Sequence, residues 1–528
     1  MSASISYDEL PMDWVGDWIR TWVRRSPQRT AVLDAGSGQR YTYGELGGRA
    51  ERLGTWLLDE VGLAPGDRVC LLCRNRIEAL DLYLACGRAG LILAPLSFRL
   101  RPRELNDLLH RIAPGALIHE EVFDDLVGQL DPPPSLRRVE ALTESGEEFE
   151  RLLALCDTGE IDRPAAMNDT CLYIHTGGTT GTPKICVVSH RQMLWNAFEL
   201  MVVGGGTMDA RELITFPFFH IGGWNSITPI LQGGGFAVLT RQFDPGQVLD
   251  LVEQEGIRHF GAVEAMFRMI QEHPRFATAR LGSLVGLKNA GGPCAESVMR
   301  AFAERGIPIT QAYGLTEAGP SNFIHAVPDA DAAALWEHNR SIGTSLPYCD
   351  YRIVDQTTGK PVPRGRPGVI CMRSPHNFEG YLDDPERTGL TISRDGWVWS
   401  GDLAMEDDEG YVRIVGRADN MFVSGGENVS PEEIESVLAD HPLVQQAGVV
   451  AVADRRWGQV PVAAVAICGS ADGALVEALH AHCRDQLAGF KRPREIRVLD
   501  ALPYTGAGKL DRNALRLRIA EAEDRGEV

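Results

Sequence analysis

Residues 68–96 read RVCLLCRNRIEALDLYLACGRAGLILAPL. The first five, 68–72, form an apolar run of strand length. Residues 77–86 are apolar on helical spacing, and residues 90–96 return to a strand-length apolar run. The rhythm continues with a helical pattern over 103–112 and a strand over 116–119. Strands separated by helix-length segments predict a mostly parallel sheet covered by helices, so the class is α/β. Cys70 and Cys73 form a C-x-x-C spacing inside this stretch. Residues three apart on a strand face opposite sides, so the pair predicts strand packing and no redox or zinc site.

The same reading extends in both directions. Residues 41–61 open with a strand-like Tyr-Thr-Tyr. They continue as an amphipathic helix carrying Leu46, Ala50, Leu53 and Leu57. Pro132, Pro133 and Pro134, with the acidic stretch 144–148, predict a surface excursion before alternation resumes at Thr170. Between about 348 and 414, short strands (351–354, 368–372, 411–414) separated by Gly, Pro and Asp turns predict a β-rich subdomain. Beyond Gly416 the pattern is helix (434–438), two strands (448–452, 462–467) and helix (475–487), the size of a small α+β domain. The expected division is a large domain over 1–417, including the β-rich part, and a small domain over 418–528.

Composition narrows the function. Of 528 residues, 44 % are hydrophobic and 23 % charged. These ordinary globular values exclude a disordered chain, a collagen-like fibre and a coiled-coil rod. Lys and Arg number 52 against 72 Asp and Glu, a formal charge of −20. Such a surface repels nucleic acid and anionic lipid, so an anionic ligand needs a local site built against the general field. The 11 cysteines are odd in number and lack framework spacing, which predicts a reduced, cytoplasmic protein. Residues 1–10 lack the basic-then-apolar pattern of a signal peptide. The most apolar window, 82–96, contains Arg88 and is too short to span a bilayer, so no integral membrane segment is expected.

Residues 172–190 read LYIHTGGTTGTPKICVVSH. A strand enters a loop with three Gly and four Thr in the seven residues 176–182, and Pro183-Lys184 leads into another strand. Glycines let backbone N–H groups converge on phosphate oxygens, threonines add hydroxyl donors and lysine adds a point charge. A simple turn would not need so many. A Walker P-loop is excluded, because Pro183 precedes the lysine and Ile185 follows it.

This loop resembles the signature of the adenylate-forming superfamily, which includes acyl-CoA synthetases and peptide-synthetase adenylation domains. Ile185 stands where the family has glycine, and Gly177 where serine is usual. The resemblance implies that Thr176, Gly177, Gly178, Thr179, Thr180, Gly181 and Lys184 hold ATP phosphates. Further segments match in family order. The segment 216–224, FPFFHIGGW, aligns His220 with an acyl-pocket position, and Trp224 follows it. In NAGGP, 289–293, the small residues permit close approach of backbone to a flat ring; the resemblance implies an adenine contact at Gly292 and Pro293 and an acyl-pocket wall at Gly291. In QAYGLTE, 311–317, the resemblance implies that Gln311, Tyr313 and Gly314 bind ATP or AMP, with the Tyr313 ring against adenine, that Ala312 lines the acyl pocket and that Thr316 meets phosphate. Glu317 would hold Mg²⁺, whose preference for hard oxygen fits.

The remaining matches lie nearer the C-terminus. Asp402 in the segment 399–402 would accept the ribose hydroxyls, a task suited to the two oxygens of a carboxylate. Gly-Asp pairs are otherwise often turns. Arg417 would bind ribose or phosphate, Asp419 would be the hinge of the small domain, and Gly425 and Gly426 would line the thiol tunnel. Ser430, Pro431 and Glu433 also make a good helix start, with the serine as N-cap. In the segment 502–510, Lys509 would contact carboxylate and α-phosphate during adenylation.

The resemblance thus implies a large N-terminal domain of layered α/β sheets and a small, mobile C-terminal α+β domain. It implies an ATP-dependent acid–thiol ligase using Mg²⁺ and CoA, and it allows a homodimer. Three alternatives stay open: transfer to a free-standing carrier protein, a luciferase-like oxidation, and a non-catalytic nucleotide sensor. Gly and Ala dominate the pocket candidates, leaving depth for a hydrophobic acid, aliphatic or cyclic, unless Trp224 caps the pocket for something shorter.

Overall fold

The computed structural model describes residues 6–156, 161, 163–176, 183–204, 208–325, 336–424, 427–467, 473–504 and 510–524. Arg68–Leu72 is a central strand of a seven-stranded sheet. Ile92–Pro95 and Ala116–Glu120 run parallel on either side of it. Thr170–Thr176 joins beyond Ile92–Pro95 and forms a hairpin with Lys184–Ser189, and Gly380–Tyr381 closes that edge. Strands buried on both faces read as continuous apolar runs. Cys70 belongs to the core on one side of this sheet and Cys73 to the core on the other.

The second seven-stranded sheet is ordered Ile309–Gln311, Gly286–Asn289, His259–Ala262, Arg211–Ile214, Phe236–Leu239, Thr30–Asp34, Gln39–Thr42. All its pairs are parallel except the last. Helix Ile77–Ala89 shares a core with strands of both sheets. Every residue of the helix except Arg88 is buried, as its apolar circumference requires. It ends at Gly90 in the left-handed conformation, the usual stop. Its first N–H, on Ile77, donates to Asp34 Oδ2 at 3.1 Å, so a carboxylate of the second sheet caps the helix and ties the two layers together.

The β-rich part is an antiparallel sheet of Asp350–Val354, Gly368–Arg373, Val398–Glu406 and Val412–Arg417. Asp402 therefore lies within a strand and not in a turn. Gly401, at φ +73°, and a register shift at Leu403 and Ala404 give the segment its turn-like sequence. Residues 144–148 do more than bridge a surface excursion. They lead into helix Glu147–Leu155, beside edge strand Arg138–Leu142, and acidic side chains suit a helix N-terminus.

The C-terminal unit is a five-stranded sheet of Phe422–Ser424, Glu427–Val429, Val444–Asp454, Gly458–Ile467 and Glu495–Val498. Helices Pro431–Ala439, Gly473–Gln486 and Arg512–Asp524 accompany it. Pro431 sits at the first helical position, but the Ser430 side chain makes no capping bond. Its hydroxyl donates instead to Glu432 Oε2 at 2.7 Å. Among the described residues no helix is long and apolar enough to cross a membrane.

Candidate active site

In open parallel sheets, ligands bind beyond the carboxyl ends of the strands. Four such ends of the second sheet carry the segments 215–220, 263–264, 290–293 and 312–317, which hold His220, Gly291, Gly292, Pro293, Ala312, Tyr313, Gly314, Thr316 and Glu317. The antiparallel sheet adds Asp402 and Arg417, which are direct cross-strand partners.

Tyr313 lies on the short strand Tyr313–Leu315, which pairs with Gly319–Ile324. A Cβ at Gly314 would overlap the Pro320 carbonyl, so only glycine allows this approach. Tyr313 Oη donates to Asp402 Oδ2 at 2.6 Å, and Arg417 Nη1 stands 2.9 Å from Asp402 Oδ1. The Asp402 N–H donates to Ser400 Oγ at 2.9 Å. Burial, with Asp402 alongside, pushes the Tyr313 phenol well above its usual pKa, so it stays a donor. One carboxylate is thus held between a ring and a guanidinium.

Glu317 lies in the 3₁₀ turn Thr316–Ala318, not in an α-helix. The turn's carbonyls are held one by one. Gln192 Nε2 donates to Thr316 O at 2.6 Å, Phe378 N–H to Glu317 O at 3.0 Å, and Asn322 Nδ2 to Ala318 O at 2.7 Å. Asn196 Nδ2 reaches Ser321 O at 2.6 Å. Gln192, Asn196 and Glu199 lie on one buried face of helix His190–Gly204, at the three- and four-residue spacing that aligns side chains. Glu199 Oε2 lies 2.7 Å from His376 Nε2, both side chains fully buried. Gly319, at φ +91°, leaves room for that imidazole.

The Glu317 side chain is partly exposed. Tyr381 Oη donates to its Oε1 at 2.6 Å. Lys184 Nζ stands 5.1 Å from the Tyr381 ring centroid, within cation–π range. Lys184 is the register partner of Thr176 across the hairpin. Gly177, Gly178, Thr179, Thr180 and Gly181, between those two, lie outside the described residues.

Gly291, Gly292 and Pro293 are exposed at the mouth, with Gly291 at φ +86°. Asn289 Nδ2 donates to Gly292 O at 2.7 Å and shapes this turn. Gln311 is a brace here: its Oε1 accepts from Cys294 N–H at 3.2 Å and its Nε2 donates to Asn339 O at 2.7 Å. Ala312 is half-buried. His220 is exposed and caps helix Ile221–Gln232, its Nδ1 accepting from Gly222 N–H at 3.1 Å. Beneath it, His175 Nε2 accepts from Ser97 N–H at 3.0 Å. Burial, reinforced by His220, pushes the His175 imidazole down to about 4.

Trp224 corrects the expectation of a pocket wall or cap. It is fully buried, with ring centroids 4.4 Å from Phe218 and 4.7 Å from Tyr83. At the fourth position of its helix it points into the core between the two sheets, not toward the pocket mouth.

On the C-terminal unit, Asp419 is exposed, 4.0 Å from Arg417 Nη2. Gly425, Gly426 and Lys509 lie outside the described residues. Tyr504 and Leu510 form a bridge on either side of 505–509. Burial, with the charges of Glu264 and Glu435 adding to it, raises the Tyr504 phenol. Glu432 gathers Asn420 Nδ2 at 2.6 Å and Arg512 Nη2 at 2.7 Å on Oε1.

The residues present fit a magnesium ion. Glu317 supplies a hard carboxylate oxygen, and among the described residues no cluster of three or more His, Cys, Asp or Glu forms a protein cage. Magnesium typically takes one or two carboxylates, with phosphate oxygens and water completing its shell. Sequence reasoning missed Tyr381 and the Gln192–Asn196–Glu199–His376 support. Tyr381 lies in a two-residue strand without a motif, and a buried polar helix face cannot be told from a solvated one by spacing alone.

The chain matches the family described as AMP-binding enzyme over residues 19–382, and the AMP-binding enzyme C-terminal domain over 433–509. A feruloyl-CoA synthase of an Amycolatopsis species is 36 % identical over 94 % of this chain and 96 % of its own. An indoleacetate–CoA ligase of Aromatoleum aromaticum is 33 % identical over 91 % of this chain and 93 % of its own. The crystal structure of ATP-bound MatB from Rhodopseudomonas palustris superposes with a TM-score of 0.87 at 27 % identity, covering 96 % of this chain and 99 % of that one.

Proposed function

The chain belongs to the AMP-binding enzyme family and is an AMP-forming acid–CoA ligase, and from that premise we propose that its acid is hydrophobic and ring-bearing. Two relatives of this chain act, by name, on ferulate and indoleacetate, both aromatic acids. Small residues at 290–292 and 312 leave the space that a flat ring needs. Both relatives are CoA enzymes, so CoA and not a carrier protein is the acceptor taken here.

The single observation that carries the site assignment is the pair of held carboxylates. Asp402 is fixed between Tyr313 and Arg417, and Glu317 is fixed by Tyr381 with Lys184 beside it. On this reading Asp402 receives the ribose hydroxyls, and Tyr313 presents its ring to adenine. Thr316, Lys184 and the 176–181 loop hold the phosphates. Glu317 would hold Mg²⁺, which neutralises charge developing on the phosphate oxygens. The substrate carboxylate attacks the α-phosphate, pyrophosphate leaves, and Lys509 stabilises the charge gathered at phosphorus. The thiol of CoA then attacks the acyl carbon, and AMP leaves with the electron pair. Between the steps the small unit, 418–528, turns about Asp419 to withdraw Lys509 and present Gly425 and Gly426 to the thiol. The ten described cysteines are all free thiols, which supports a reducing, cytoplasmic setting.

The test is acid-dependent ATP–pyrophosphate exchange with ferulate, indole-3-acetate, octanoate and palmitate, then CoA with mass detection of the thioester. Exchange and thioester with an aromatic acid are expected. Turnover of the fatty acids alone would overturn the ring-bearing assignment.

A further inference from the structure

We propose that Asp440 is a positioning residue for adenylation: it holds the small unit on the large one in the orientation of this structure, which superposes on ATP-bound MatB over 96 % of the chain. The inference rests on the ligase reading above. Asp440 is the C-cap residue of helix Pro431–Ala439. That end of a helix is the negative one, so a carboxylate there is unfavourable within its own unit. Its partners belong to the large unit. Oδ1 accepts from the Glu296 N–H at 3.2 Å, and Oδ2 lies 2.9 Å from Arg340 Nη2.

Glu296 opens helix Glu296–Ala303, whose own N-cap is Ala295, a residue with no side-chain acceptor. Aspartate is among the best N-caps and alanine among the poorest. The small unit therefore supplies the cap that the large unit's sequence lacks. Arg340 also lies 3.5 Å from the Glu296 carboxylate, so one guanidinium serves two carboxylates, one on each side of the boundary. Ala439, next in the chain, packs against the apolar core of the second sheet. His482 and Glu296 are the other titratable groups felt by Asp440. Tyr504, at the base of the lysine loop, feels the large unit's Glu264 in this same arrangement. The Asp440 contact and the position of Tyr504 therefore belong to one orientation. Turning the small unit for the thiol step breaks both Asp440 bonds at once.

A cap and a partly exposed ion pair together correspond to about tenfold in an equilibrium. The experiment measures the half-reactions separately in the full-length enzyme, using whichever of ferulate and indole-3-acetate gives the faster exchange. Should neither aromatic acid support exchange, octanoate or palmitate, whichever is turned over, is used. One assay is ATP–pyrophosphate exchange; the other is thioester formation from the chemically made acyl-adenylate and CoA. Asp440→Ala should slow exchange about tenfold and leave the thioester step unchanged or faster. Arg340→Ala should do the same more weakly, and the double variant should lose no more than Asp440→Ala alone. Asp440→Asn keeps a capping oxygen and should fall between wild type and Asp440→Ala. Equal losses in both half-reactions, or none in either, overturn the proposal, with thermal melting checking that each variant is folded. A wild-type enzyme that performs neither half-reaction would remove the ligase reading, and this inference would fall with it.

Discussion

Tyr313 and Asp402, 89 residues apart in the chain, meet in a 2.6 Å hydrogen bond, while Arg417 holds the other oxygen of the same carboxylate. A carboxylate fixed from both sides presents its acceptor sites in one direction, which suits a vicinal diol. Hydrogen bonds to a charged group are worth about 1.5–3 kcal/mol. Asp402→Ala should therefore raise the KM for ATP in pyrophosphate exchange by roughly tenfold to a hundredfold. Tyr313→Phe keeps the ring and should change it much less. Unchanged ATP dependence in Asp402→Ala would reduce Asp402 to a brace for its neighbours.

Tyr381 is the second test, because no sequence motif pointed to it. Its hydroxyl orients Glu317, and burial with that carboxylate alongside keeps the phenol protonated. Groups that orient a metal-binding carboxylate typically account for 10- to 100-fold in metal affinity or activity. Tyr381→Phe should raise the Mg²⁺ concentration needed for half-maximal exchange about tenfold. Glu317→Gln should lose more, and extra Mg²⁺ should not restore it. A Tyr381→Phe enzyme with wild-type Mg²⁺ dependence would separate Tyr381 from the site.

The two residues differ in how far sequence could find them. Asp402 and Tyr313 were legible because each sits in a short motif, although Asp402 proved to be a strand residue. The central sheet was legible too: strands 68–72 and 92–95 are buried on both faces, so their apolar runs are uninterrupted. Helix His190–Gly204 was not, because it inverts the usual rule. Gln192, Asn196 and Glu199 are buried, while Phe198 and Val202 are exposed. Pattern alone assigns such polar positions to solvent; the carbonyls of Thr316 and Ser321 explain Gln192 and Asn196, and His376 with the Tyr348 N–H explains Glu199. Trp224 failed for the opposite reason. His220, four residues earlier, is exposed, but helical rotation turns Trp224 into the core.

The third prediction separates the two half-reactions chemically. Lys509→Ala should cripple pyrophosphate exchange while sparing thioester formation from supplied acyl-adenylate, because its charge is needed only while the α-phosphate is attacked. Asp419→Pro should do the reverse, since a fixed φ at the hinge hinders the turn between steps. Equal loss of both steps in Lys509→Ala sinks its assignment, and a normal overall rate in Asp419→Pro sinks the hinge.

His175 gives a pH prediction with a definite sign. Its Nε2 accepts the Ser97 N–H, so the ring is neutral, and its pKa is held down to about 4 by burial, with His220 adding to the effect. In the unfolded chain the ring titrates near its ordinary value of about 6.5. The folded state then binds fewer protons than the unfolded one between these two values. Stability is thus fully present above about pH 6.5 and is lost as the pH falls through about 4. A gap of roughly 2.5 units corresponds to about 3 kcal/mol. Urea unfolding at pH 7.5 and pH 4.5 should show wild type losing more stability than His175→Gln, whose amide cannot be protonated and can still accept from Ser97. Equal pH dependence in the two proteins would place the acid sensitivity in other buried histidines, of which His190, also held to about 4, is the next to replace.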